Sequence, residues 1–265
     1  MPTFVNEFFG PDRWAVFVFI TARLIGLGLT APLWSMPTYP RSIRAAAIAV
    51  LALLLLPSVP ETTMPEKVLD IPLPLVMEFI VGMSIGLTAA VIIQGVAYAG
   101  DVLSLQTGLS LGAALSGGDI PGAGLGQMKS VAALLIYVAL GGHLIMLQGL
   151  AESLQVLPPG GPVNIETGGA TAAAAFSVVF TSAARVAAPA MVALLLTNIA
   201  LAILARAVPQ LNVIMVSFPM TIGIGLLMIG VSLPIIASAV NGWILDLPVH
   251  ITTVIDGYAA EAGVP

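Results

Sequence analysis

Three charged residues stand where charge is hardest to keep. Arg23, Glu78 and Arg185 all lie inside long apolar runs. An arginine at the centre of a bilayer costs roughly 2.5–3.5 kcal/mol on insertion scales, so such a residue faces protein, reaches water or snorkels. Two chemistries follow. The charges could line a solute path, or they could be structural, with each guanidinium bonded to helix-end carbonyls. The second is the favoured reading of both arginines, and Glu78 is a partner open to either. His143 follows Gly141-Gly142 inside another apolar run. A lone histidine is more often a hydrogen-bonded packing residue than a ligand, and no His/Cys/Asp/Glu set with metal spacing surrounds it.

Other catalytic patterns fail on their residues. There is no G-x-S-x-G elbow for a serine hydrolase. A membrane-embedded aspartyl protease would have to use Asp101 and Asp119, and both fall beside or within a glycine-rich connection. The chain has no cysteine, so disulfides and thiolate ligands are excluded. No cofactor is implied.

The elements that position these residues follow from composition. Hydrophobic residues make up 58% of the 265, charged residues only 8%, and mean hydropathy is +1.07. A soluble domain carries about a quarter charged residues, so most of this surface must face lipid or apolar protein. The net charge of −5 provides no basic patch for a nucleic acid. Apolar runs near 14–34, 43–60, 72–97, 129–150, 174–205 and 211–240 predict about six hydrophobic helical segments. Met1 to Gly10 lacks the basic stretch of a cleavable signal, so the run from Trp14 reads as a retained first span. The expected fold is all-α and polytopic, with residues 1–265 forming a single membrane domain.

Prolines and glycines punctuate the connections. Pro32, Pro37 and Pro40 break the first, and PPGGP at Pro158 to Pro162 breaks a later one. SGGDIPGAGLG, from Ser116 to Gly126, is not expected to be regular helix. Pro189, Pro219 and Pro234 fall inside the last two runs, where neighbouring groups must satisfy the freed carbonyls. The placement of Lys and Arg favours cytoplasmic ends at Arg41, Lys129 and Arg206, with both termini on the other side. In the third run, Glu78, Gly82, Gly86, Ala90 and Gln94 recur every four residues, and this stripe is expected to pack on another helix or another subunit. The stretch from Tyr98 to Gly126 reads either as an ordinary loop or as a mobile element at a pore.

Four groups of residues, taken in order along the chain, carry a resemblance. The first is Thr21-Ala22-Arg23-Leu24 through Ala31-Pro32 to Pro40-Arg41 and Arg44. The second is Glu78, Gly82 and Gly86, then Ala99-Gly100-Asp101 and Gln106-Thr107-Gly108. The third is Gly141-Gly142-His143 with Ser153 and Leu157-Pro158. The fourth and most specific is Leu204 to Asn212, reading LARAVPQLN, followed by Ser217-Phe218-Pro219. Together they resemble the FliR family of flagellar export proteins and its type III secretion relatives.

The resemblance implies a non-enzymatic core subunit of a protein export gate in the bacterial inner membrane, within the flagellar basal body. Its helices would form bent hairpins in a helical assembly. FliP-like and FliQ-like subunits would build the pore with it, FlhB-like and FlhA-like proteins would adjoin it, and unfolded export substrates would pass through. A plug would correspond to Gln106 to Gly126, including Gly108, Gly112, Gly117, Gly118, Asp119, Pro121, Gly122 and Gly124. Arg206, Gln210 and Asn212 flank Pro209 at the break between the last two runs, where their side chains are expected to fix the turn or, as a second reading, to meet another subunit. The alternative is a secondary transporter of a small solute using Arg23, Glu78 and Arg185. It would usually carry an internal repeat, and none is evident.

Overall fold

The computed structural model describes residues 11–35, 40–59, 71–107, 125–208 and 213–260. Seven α-helices occur among them, and no strand. They are α1 (Pro11–Thr30), α2 (Arg41–Leu55), α3 (Pro72–Gln106), α4 (Leu125–Ala139), α5 (Gly142–Val156), α6 (Ile165–Ala207) and α7 (Val213–Ala259). Five helices are long and apolar enough to cross a membrane, and α4 with α5 passes the same test as a broken pair. The chain is therefore a multi-pass helical membrane protein.

Local chemistry explains the helix ends. Pro11 opens α1 at a position whose N–H would have no partner inside the helix. α1 ends just before Pro32, which has no N–H to continue the ladder, and the turn after it closes with Ser35 N–H bonded to Ala31 O at 2.9 Å. Pro40 holds the extended cap before α2. A 3₁₀ turn at Leu56–Ser58 ends that helix, with Ser58 Oγ donating to Leu55 O at 2.7 Å. Asn164 caps α6: its Oδ1 accepts from Thr167 N–H at 3.1 Å, and Glu166 lies in the favourable first turn.

The helices depart from the apolar runs in several places. The fourth run, 129–150, is two helices. Gly141, at φ 76°, takes the left-handed conformation and accepts the first bonds of α5 from Leu144 and Ile145. α6 starts nine residues before its run, because the Asn164 cap and Glu166 in the first turn open the helix where the sequence is not yet strongly apolar. α7 continues well past 240, through Asn241, Asp246 and Pro248. Hydropathy ends there, but backbone bonding does not. α3 runs past its apolar stretch to Gln106, so Tyr98 to Gln106 is helix and not loop. Its polar residues are spaced among apolar ones, with no proline to break the helix. Leu125 and Gly126, the end of the glycine-rich stretch, already belong to α4.

At about 1.5 Å per residue, α3, α6 and α7 exceed the ~30 Å of bilayer hydrocarbon considerably. Each contributes to two compact units. One comprises Met1–Val91, Gly141–Phe176 and Ile244–Pro265, and the other Ile92–Leu140 and Ser177–Trp243. Hydroxyls within these apolar helices bond back to their own backbone. Thr21 donates to Phe17 O, Thr88 to Ser84 O and Thr197 to Ala193 O, all at 2.7–2.9 Å. These three hydroxyls are thereby satisfied in a medium without water.

Candidate functional site

In the first unit, an ion-paired latch joins three helices and a loop. Arg23 on α1 is fully buried, and Glu78 on α3 is 1% exposed. Arg23 Nε donates to Glu78 Oε2 at 2.6 Å. Its Nη1 reaches Ser153 Oγ on α5 at 3.0 Å, and Nη2 reaches the carbonyl of Leu157, the residue that ends α5, at 2.9 Å. Glu78 Oε1 accepts the N–H of Gly160, in the PPGGP loop, at 3.0 Å. Ser153 in turn donates to Leu150 O at 2.6 Å. The guanidinium is held by a carboxylate, a hydroxyl and a helix-end carbonyl, and the pair is neutral as a whole. This is how an arginine can sit in an apolar run without meeting lipid.

Glycines make the latch geometrically possible. A Cβ on Gly82 would collide with the backbone carbonyl of Arg23, and one on Gly26 with the carbonyl of Phe79. Backbones of α1 and α3 therefore touch through reciprocal small residues. Thr30 Oγ1 donates to Met83 O at 2.9 Å across the same seam. Gly160 adopts φ 81° and packs under Phe19, a conformation that suits glycine.

The four-residue stripe is only partly on this side. Glu78, Gly82, Gly86 and Ala90 are buried, whereas Gln94 is exposed. At 3.6 residues per turn each step of four rotates the position by about 40°, so Gln94 lies about 160° away from Glu78. Gly86 meets Leu27 O and the hydroxyl of Thr30. A second tie holds the end of α7 to this unit: Tyr258 Oη and Ser84 Oγ are 2.8 Å apart, and Asn164 N–H donates to Tyr258 O at 2.9 Å.

In the second unit, Leu103 of α3 packs with Ala190 and Leu194 of α6, and with Ile224 and Met228 of α7. Thr107, beside the last residue of α3, is buried. Its carbonyl accepts Thr221 Oγ1 at 3.3 Å, and Gly225 leaves room for its methyl group. The start of the expected plug segment is thus fastened to α7. Gln106 itself is exposed. Gly108, Gly112, Gly117, Gly118, Asp119, Pro121, Gly122 and Gly124 lie outside the described residues, as do Pro209, Gln210 and Asn212.

Other singled-out residues are dispersed. Arg185 is exposed on α6, and Arg206 is exposed in the last turn of that helix, where a cation suits the carbonyl end. Asp101 is exposed on α3. Among the described residues no group of His, Asp and Glu is arranged to hold a metal. Both charges of the latch are occupied by protein, so Arg23 and Glu78 do not offer a solute-binding pair.

Sequence reasoning missed Lys129. Its position groups it with the charges of a cytoplasmic end, but its side chain is 1% exposed and its Nζ has no hydrogen-bond partner. A lysine at a helix end in sequence carries no signal of its burial. An enclosed, unpaired ammonium is destabilising by several kcal/mol. Lys129→Met, which preserves length and removes the amine, should stabilise the chain by about 1–3 kcal/mol. Thermal unfolding in detergent checks this, and a lowered midpoint would contradict it.

A helical membrane protein tied by a buried Arg–Glu latch is the class that fold and site define. Residues 14–247 match the family described as bacterial export proteins, family 1. The chain belongs to that family. It is 27% identical over 237 residues to the flagellar biosynthetic protein FliR of Pectobacterium carotovorum subsp. carotovorum, covering 89% of this chain and 87% of that protein. It is 28% identical to FliR of Escherichia coli K12 (81% and 83% covered) and 28% identical to FliR of Bacillus subtilis 168 (85% and 88% covered). The resemblance drawn from the motifs is the one these comparisons return.

Proposed function

We propose that this chain is a core, non-enzymatic subunit of the flagellar type III export gate in the bacterial inner membrane. It assembles with FliP-like and FliQ-like subunits into a gated pore for unfolded export substrates, adjoined by FlhB-like and FlhA-like proteins of the basal body. The observation that carries this is the family match across nearly the whole chain. Support comes from the surface. α6 and α7 leave large apolar side chains uncovered, among them Leu195, Leu196, Ile199 and Ile203 on one, and Met215, Leu226 and Leu227 on the other. Apolar area of this extent calls for lipid or neighbouring subunits. Gln106 to Gly126, whose beginning is tethered at Thr107, form the plug of the closed gate in this reading.

Co-expression with FliP-like and FliQ-like proteins tests it. All three chains are expected to purify as one complex, and deletion of Gly112 to Gly124 is expected to raise small-solute leakage through it. A stable, functional chain recovered without such partners would refute the assembly, and an unchanged leak would remove the plug.

A further inference from the structure

In the second unit, the end of α3 meets α7 through one small contact. Thr107, the first residue after α3, is 1% exposed. Its carbonyl accepts Thr221 Oγ1 at 3.3 Å, and its methyl group fills the notch left by Gly225. Thr221 and Gly225 stand four apart on α7 and share a face. The Thr107 side chain is fixed by its own helix, because Oγ1 donates to Leu103 O at 3.0 Å and to Ser104 O at 3.2 Å. A β-branched residue held in this way does not swing its methyl aside freely. A Cβ on Gly225 would overlap that methyl.

The contact differs from the Arg23–Glu78 latch in what breaking it leaves behind. Thr221 Oγ1 also reaches its own helix, at Ser217 O, and that bond is the shorter at 2.9 Å. Thr107 N–H is bonded to Leu103 O at 2.9 Å, within α3. When Thr107 leaves α7, these bonds remain, one carbonyl loses a partner, and no charge is stranded. Leu103, a turn earlier, is packed against Ala190 and Leu194 of α6 and against Ile224 and Met228 of α7. Release is therefore confined to the last turn of α3. We infer that Thr107, Thr221 and Gly225 form a releasable catch that holds the gate closed, and that opening requires Thr107 to leave α7. This rests on the gate reading, in which the chain beyond Thr107 enters the plug.

Small-solute leakage from vesicles carrying this chain assembled with its FliP-like and FliQ-like partners tests the catch. Gly225→Ala is expected to raise leakage at least about fivefold, because overpacking displaces Thr107. Adding Thr107→Ser, which removes only the methyl, should return leakage toward the parent value. Gly223→Ala, where a Cβ meets nothing within 4 Å, should change nothing. Thr221→Val keeps the shape, loses the hydroxyl and should raise leakage about threefold. Leakage unchanged in Gly225→Ala, or raised there and not rescued by Thr107→Ser, would overturn the inference. Deletion of Gly112 to Gly124 runs beside these. Leakage from the deletion but not from Gly225→Ala removes the catch and leaves the gate reading standing, whereas a silent deletion removes both. Should Gly225→Ala fail to assemble, a disulfide tests the same contact. The chain has no cysteine, and a Cβ on Gly225 would lie 3.5 Å from Thr107 Cβ, within disulfide reach. In the Thr107→Cys, Gly225→Cys double variant, oxidation is expected to stop substrate passage and reduction to restore it. Passage undiminished with the bond formed would overturn the inference.

Discussion

Arg23→Met should destabilise the chain by about 3–5 kcal/mol, because it strands the Glu78 carboxylate in an interior it cannot leave. The remaining bond from Gly160 N–H cannot neutralise it. Glu78→Met should cost a similar amount by stranding the guanidinium, with only Ser153 Oγ and Leu157 O left to receive it. The double replacement is expected to cost far less than the sum, since no charge then remains to bury. Unfolding midpoints of the four proteins form a double-mutant cycle. Additive losses would show that the two side chains do not act as a pair, and the latch would have to be abandoned. The cycle separates what the pair contributes from what breaking it costs. A buried ion pair need not outperform apolar residues of the same volume, yet removing one member is severe.

The second large effect belongs to a glycine. Gly82→Ala adds a single methyl group, yet that methyl would overlap the backbone carbonyl of Arg23, which has no flexible end to swing away. α1 and α3 must separate, with an expected loss of about 3 kcal/mol, at the upper end for overpacking. Separation also stretches the Arg23–Glu78 bond, so Gly82→Ala should be non-additive with Arg23→Met. Gly169→Ala is the matched control. A Cβ there meets nothing within 4 Å, and alanine favours helix by up to ~1 kcal/mol over glycine. It should be neutral or stabilising. Equal destabilisation by the two changes would mean that the loss at Gly82 does not come from the α1–α3 contact.

The same two residues show how far the sequence could be read. Arg23 and Glu78 drew attention because charge inside an apolar run needs a partner, and that rule applies before any fold is known. Which arginine Glu78 meets was open, because Arg23 and Arg185 have the same chemistry and similar surroundings in the chain. Ser153, the Leu157 carbonyl and the Gly160 N–H complete the latch from 75 or more residues away, and although Ser153, Leu157 and the PPGGP turn stand out in the sequence, nothing local says that they meet Arg23 and Glu78. Gly82 was visible as part of a small-residue stripe, but its counterpart Gly26 was not, since a glycine beside Ile25 in an apolar run is unremarkable until another backbone lies against it. Gln94 was placed on the stripe by a period of four, and the helix turns every 3.6 residues.

What the sequence determined by itself is the solvent and the element type. So few charges among so many apolar residues require a membrane, and a membrane requires helices that satisfy their own backbone. Its motifs also pointed to the export family. Only the tertiary structure decided which charges are paired, that Lys129 is enclosed without a partner, where Gly141 divides a run in two, and that Arg44 and His143 share a cavity. Hydropathy and capping act over a few residues and are written in sequence order. Pairing and enclosure depend on which distant backbones approach each other, and that is settled only when the helices pack.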